Sequence, residues 1–291
     1  WPTTSKRMTS PTSPGSPDAP PELAEVTDVP LVNGRTSRNV TVSFGNGPVE
    51  ILLGAHLDTV DDSPGADDNA SGVAVLLEYA RHLDGGGVPV PPGTTITLAW
   101  FGAEEVLAGH GRDVHHAGSR LMAATRPLPH WMLSVDMIGL GATPIAVFLS
   151  GADASAARLL SGAGGGAVTG RGDISDHEAF ARRGVAAALL WRPDNPGYHG
   201  PGDTTVLDDR LSHAFRTVRA FIAAAASPFA SGRGMTHELV VDLLARRPDV
   251  GGAGHFGGRL DSGSMGPGDV GAALLSSPEW ESVVAPVARV Y

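Results

Sequence analysis

The sequence predicts an α/β fold, a three-layer αβα sandwich around a central mixed, mostly parallel sheet. Three observations carry that expectation. Short apolar runs recur, among them Val49–Leu53, Thr95–Phe101, Leu133–Met137, Ile145–Leu149 and Ala186–Trp191. Apolar positions at helical spacing lie between them, and this alternation implies a sheet covered on both faces. Imidazole and acidic residues follow the ends of the runs, where open α/β sheets build their sites.

In chain order, residues 1–22 are rich in Pro, Ser and Thr and read as a flexible leader. Residues 23–226 form the main domain. Asn39–Phe44 alternates with period two, and Gly45-Asn46-Gly47 turns the chain into Val49–Leu53. That predicts a hairpin whose second strand is buried on both faces. Val73, Leu76, Leu77, Ala80 and Leu83 recur at helical spacing. Asp68, Asn69 and Ser71 are natural caps for that helix, and Gly85-Gly86-Gly87 ends it. Further helices are expected at Ala154–Leu160, His177–Arg183 and Leu207–Ala226. Residues 227–291 read as a small helical appendage. It has a helix at Glu238–Arg246, a Gly-rich loop at Gly251–Gly268 and a helical pattern at Glu279–Tyr291.

Composition narrows the chemistry. The net charge is -10, which argues against a nucleic-acid partner and suits hard cations or substrates bearing an amine. There is no Cys, so disulfides, thiolate metal sites and a Cys nucleophile are excluded. No run is long enough to span a membrane.

After Val49–Leu53, one imidazole and five carboxylates fall within thirteen residues, His56 to Asp68. Clustered carboxylates repel one another unless a cation joins them. Glu104 and Glu105, Asp136, and Tyr198-His199 follow other strands. Their convergence predicts a metal site. The N and O donors suit zinc, and also cobalt or manganese. The donors outnumber the needs of one tetrahedral ion, so two ions about 3.5–4 Å apart, bridged by one carboxylate, fit better. A spare carboxylate beside them can serve as general base.

Gly54–Thr59, Gly65–Gly72, Ala103-Glu104-Glu105, Val135–Gly139, Ser175-Asp176-His177 and Tyr198–Thr204 together resemble the motif set of the co-catalytic dizinc aminopeptidases, metallopeptidase family 28. The match runs in order from about Arg38 to Ala226. The resemblance implies that residues 23–226 are a zinc peptidase catalytic domain with two zinc ions. It implies a peptide substrate with a free N-terminus, whose first residue is removed through a metal-bridging water. His56 and Asp136 are then expected to hold one zinc, Glu105 and His199 the other, with Asp68 bridging. Glu104 is expected as general base and Tyr198 as donor to the oxyanion. Asp58 is expected to orient His56, Asp203 to support the other side, and Asp67 to make local hydrogen bonds only. Ile174 and His177 are expected at the substrate pocket. Relatives of this kind are often exported, which favours a secreted or cell-envelope location over a cytoplasmic one.

Departures from the pattern are local. Many members run from the Glu pair into Gly-Leu-x-Gly-Ser, whereas Val106–Ala117 intervenes here before Gly118-Ser119. His110, His115 and His116 of that insert read as an exposed polar loop rather than an accessory metal site. Ile174 stands where some members carry Arg. Other readings share part of the pattern: a zinc carboxypeptidase or deacylase, a glutaminyl cyclase with one zinc, or a non-catalytic binding module. About sixty residues separate Asp136 from His199, too few for the lid domain of the first.

Overall fold

Ile51, Leu52 and Leu53 lie at the centre of β3, Val49–His56, and each is at most 2% exposed. The structure, a computed structural model, describes residues 24–105, 115–226, 236, 240, 250–261, 264–265 and 267–278. The expected leader and His110 lie outside the described residues, as do almost all of Glu238–Arg246 and Glu279–Tyr291.

Around β3 stand β1 (Glu25–Pro30), β2 (Thr36–Gly45), β4 (Thr94–Phe101), β5 (Trp131–Asp136), β6 (Ile145–Leu149), β7 (Ala167–Arg171) and β8 (Ala186–Trp191). They form one sheet in the order β1-β2-β4-β3-β5-β8-β6-β7. The centre, β4-β3-β5-β8, is parallel. β1 and β2 are antiparallel at one edge, and β6 reverses against β8 at the other. The helices are α1 (Gly72–Asp84), α2 (Ala117–Thr125), α3 (Ser155–Leu160), α4 (His177–Ala181) and α5 (Asp208–Ala225).

Strand periodicity sorts the layers. Ile51, Leu53 and Ala55 of β3 join Leu76 of α1, Leu160 of α3 and Phe221 of α5 in one apolar cluster. Leu52 points the other way, to Met122 of α2 and Phe180 of α4. The three-layer αβα expectation therefore holds. Trp131 and Phe221 meet edge to face at 6.3 Å beneath α5. Each such fully buried side chain contributes roughly 1.5–3 kcal/mol. Among the described residues, no helix is long and apolar enough to cross a membrane.

Two expectations are overturned. β2 and β3 do not form a hairpin, because β4 lies between them. The Gly47 and Val49 amides donate to Thr94 and Gly93, which ties the turn to the start of β4. β3, apolar on both faces, takes parallel neighbours on both sides. In the Gly-rich stretch, Val250–Asp261 is a helix, followed by a second at Pro267–Leu275. Phe256 and Leu260 recur at helical spacing and pack with Val240, Val270 and Leu274. That burial overrides the helix penalty of glycine, about 1 kcal/mol each.

Candidate metal centre

Parallel register places the ends of β3, β4 and β5 side by side. β3 ends on His56 and β5 on Asp136, while Glu104 and Glu105 follow β4 directly. Asp68 comes from a helical turn, Ala66–Ser71, that leads into α1. Asn69 pins this turn: its Nδ2 donates to the Val135 carbonyl at 3.0 Å, and its Oδ1 accepts from Gly72 N at 3.0 Å. A Cβ on Gly72 would collide with that same carbonyl, so glycine is what lets the turn close on β5. His199 enters from the loop after β8.

These side chains form two half-sites sharing one carboxylate. Oδ1 of Asp68 faces His56 Nε2 at 3.2 Å, and Asp136 Oδ1 lies 3.3 Å from the same nitrogen. Oδ2 of Asp68 faces His199 Nε2 at 3.3 Å, and Glu105 Oε2 is also 3.3 Å from it. Two ligand atoms about 2.0–2.2 Å from a tetrahedral ion lie about 3.3–3.6 Å apart, so each pair has the spacing of atoms that share one cation. Ligand atoms of His56, Asp68 and Glu105 also lie within 4.8 Å of one another.

The backbone around the ligands is held by two further carboxylates. Asp58 accepts the amides of Glu104 and Glu105, both at 3.0 Å. Asp203, fully buried, accepts those of Asp67 and Asp68 at 2.9 and 3.0 Å. Asp58 thus differs from expectation. Its carboxylate lies 3.9 Å from His56 Nδ1, which instead donates to the Asp58 backbone carbonyl at 3.0 Å. That bond fixes the tautomer that leaves Nε2 free for a cation. Asp67 meets no imidazole; its oxygens take Gly139 N at 2.6 Å and Asn195 Nδ2 at 3.2 Å. Non-glycine residues with positive φ cluster here too: Ala103 precedes Glu104, Met137 follows Asp136, His116 meets Glu104, and His199 is itself a site residue. Such strained conformations cost of order 1–3 kcal/mol and persist where the surroundings over-determine them.

Electrostatics show what the cluster lacks. Burial pushes the Glu105 carboxyl up to about 9, and neighbouring Glu104 and Asp68 add to that. Burial likewise raises Asp68, with Asp136 adding repulsion against the pull of His56. Burial opposes a charge on His56, yet Asp136 and Glu104 hold its pKa well above the ordinary value. Divalent ions bound among these groups would favour their deprotonated forms. The donor set, two imidazoles and three carboxylates, fits metal binding. Burial pushes Asp67 up to about 6 as well.

Glu104 touches no imidazole of this pair but meets His116 Nε2 at 2.9 Å. His115 and His116 are buried at 6% and 1% exposure, so this end of the insert is not an exposed loop. The ordering signal is local: Ala117 alone separates them from Gly118, whose Cβ would collide with Gly102 O and Asn39 Oδ1. His177 is fully buried, its pKa pushed down to about 3 by burial and by His116. It lines neither of the two cavities beside the site. Ile174 is exposed, and neither of the two cavities beside the site touches it. The cavity that opens onto Glu105 and His199, about 560 Å³, runs instead past Thr59 to Arg35 and Ser37 in the β1–β2 turn region. Asn195 and the β1–β2 contribution were not legible as site features; Asn195 reads as an ordinary Asn-Pro turn.

Comparison with known proteins gives this geometry a family. Residues 39–222 match the family model for Peptidase family M28. The chain belongs to peptidase family M28. Aminopeptidase YwaD of Bacillus subtilis (strain 168) is 30% identical over 195 residues, 60% of this chain and 41% of that protein. The solved structure of BSAP, a zinc aminopeptidase from Bacillus subtilis, matches with a TM-score of 0.57 at 26% identity, over 66% of this chain and 51% of that one. A glutaminyl cyclase from an Acidobacteriales bacterium shares the fold, with a TM-score of 0.59 at 22% identity, over 71% of this chain and 80% of that one. This chain thus spans about half, or less, of the length of the two aminopeptidases. The M28 match encloses both half-sites and both clamping carboxylates.

Proposed function

We propose that this chain carries the catalytic centre of a zinc aminopeptidase that removes the N-terminal residue of peptides, and that it works with two zinc ions. One observation carries the reading: the two oxygens of Asp68 face different imidazoles, each paired with a further carboxylate. His56 and Asp136 would hold one ion, His199 and Glu105 the other, and Asp68 both. Zinc bound there supplies Lewis acidity toward the scissile carbonyl and a pKa near about 7 for water at the site.

The chain's own groups do the rest. Glu104 takes the proton of the attacking water and returns it to the departing amine. Burial opposes its charge, but His56 and His116 keep its pKa low, so it stands ionised. The Tyr198 ring stacks on His199 at 3.8 Å. Partial burial and the site carboxylates raise the pKa of this half-exposed ring, so its phenol stays protonated and can donate to the oxygen that gains negative charge. Asp136 and Glu104 offer acceptors to the substrate's free amine. The opening past Thr59 gives the rest of the peptide a path.

A panel of aminoacyl-nitroanilides tests this, assayed with and without chelator and with zinc added back. We expect release of nitroaniline that the chelator abolishes and zinc restores. Chelator-insensitive release would overturn the reading. An N-terminal glutaminyl peptide belongs in the panel, because the shared fold of the cyclases leaves cyclisation as the second reading. Loss of ammonia with no released amino acid would favour it.

A further inference from the structure

Glu104 is gripped by the segment just before α2. The His116 amide donates to the Glu104 carbonyl, and the Ala117 amide to that of Ala103, both at 2.8 Å. The His116 ring then turns back, at φ 56°, to reach the Glu104 side chain at 2.9 Å. Its other nitrogen faces Glu178 Oε2 at 3.4 Å. Glu178 is fully buried and held by Arg120 at 3.3 Å and by Arg182. His115 stacks flat on the ring at 3.8 Å and covers its open face. A hydrogen-bonded line therefore runs from two arginines through Glu178 and His116 to Glu104.

We propose that His116 is a positioning residue for Glu104, holding one carboxylate oxygen so that the other is aimed at the attacking water. The proposal rests on the general-base reading of Glu104 given above. Both ring nitrogens face carboxylates, and a carboxylate only accepts, so both must donate. The ring is then an imidazolium. Burial opposes this, but Glu104 and Glu178 together push its pKa up to about 10. A free glutamate rotates about three bonds; here its backbone amide is fixed by Asp58 and its carboxylate by a charge-assisted bond of normal length. Such partners of catalytic groups typically change activity about 10–100-fold when removed.

Two substitutions of similar size separate positioning from packing. In H116Q the amide nitrogen stands near Nε2 and can still donate to Glu104. In H116N it stands near Nδ1 and reaches only Glu178. For the zinc-loaded protein we expect H116N to lower kcat about 10–100-fold with KM little changed, and H116Q to recover most of that loss. Equal kcat in the two variants overturns the proposal. A second readout needs no turnover. In metal-free protein labelled with 15N-histidine, at pH 8 and so above the ordinary histidine pKa of about 6.5, the ring whose signals vanish in H116Q should carry protons on both nitrogens. A singly protonated ring overturns the proposal. If the wild type hydrolyses no nitroanilide, the aminopeptidase reading falls, and the ring state alone decides the role of His116.

Discussion

Asp203→Asn isolates a link that touches no metal ligand side chain directly. The Asp203 carboxylate accepts Asp67 N at 2.9 Å, Asp68 N at 3.0 Å and Asn195 Nδ2 at 3.1 Å, all in the interior. In asparagine one acceptor oxygen remains, and the other becomes an amide nitrogen turned toward a backbone donor. The loss is one hydrogen bond to a charged group, about 1.5–3 kcal/mol, plus one unsatisfied buried donor, about 1–3 kcal/mol. Relief of the repulsion between Asp67 and Asp203 offsets part of this, so the net destabilisation should be about 2–4 kcal/mol. Set against a total of about 5–15 kcal/mol, that leaves a folded but weakened protein. The same clamp holds the peptide that carries Asp68, so zinc affinity should also fall about 10–100-fold. Urea unfolding of the metal-free protein measures the first quantity, and zinc titration against a competing chelator the second. An unchanged midpoint together with unchanged affinity refutes the clamp argument.

Other perturbations follow from the same geometry. Glu104→Gln should keep its zinc and lose turnover about 10²–10⁴-fold, as checked by metal analysis beside steady-state kinetics; retained turnover sinks its role as base. His199→Ala should bind one zinc fewer than wild type, because Glu105 alone is left opposite Asp68 Oδ2. Leu53→Ala, at a site with no exposure, should cost about 2–5 kcal/mol in a denaturant melt. The His116 pKa rises from 6.5 to about 10 on folding, with Glu104, Glu178, Asp176, His115 and His177 acting on the ring. A raised pKa gives stability that is whole below pH 6.5 and is lost as pH climbs through about 10. In metal-free protein the Tm gap between wild type and H116Q should therefore narrow over that window, and a pH-independent gap would count against the assignment.

How much of this was legible in the sequence depended on how local the signal was. β3 and its apolar triplet announced a central strand because burial on both faces leaves no polar position. The pairing of β2 was not legible, since alternation fixes a strand's faces but not its neighbour. β1 and β7 are edge strands, mostly exposed, with no apolar pattern to betray them. Glycines disguised the helix Val250–Asp261, whose stabilisation comes from contacts distant in sequence. In the site, His56, Asp68, Glu105, Asp136 and His199 stood out because each sits at the end of a readable element. The division of labour behind them did not. Asp58 clamps amides forty-six and forty-seven residues away, and Asp203 clamps amides more than a hundred away. His116 looked like loop because nothing in its neighbours announces the buried Glu178 opposite.

Zinc content at saturation tests the central claim most directly. Equilibrium dialysis followed by elemental analysis should find two zinc ions per chain, as the split of Asp68 between His56 and His199 requires. One zinc per chain in the correctly folded wild type would contradict the bridging assignment.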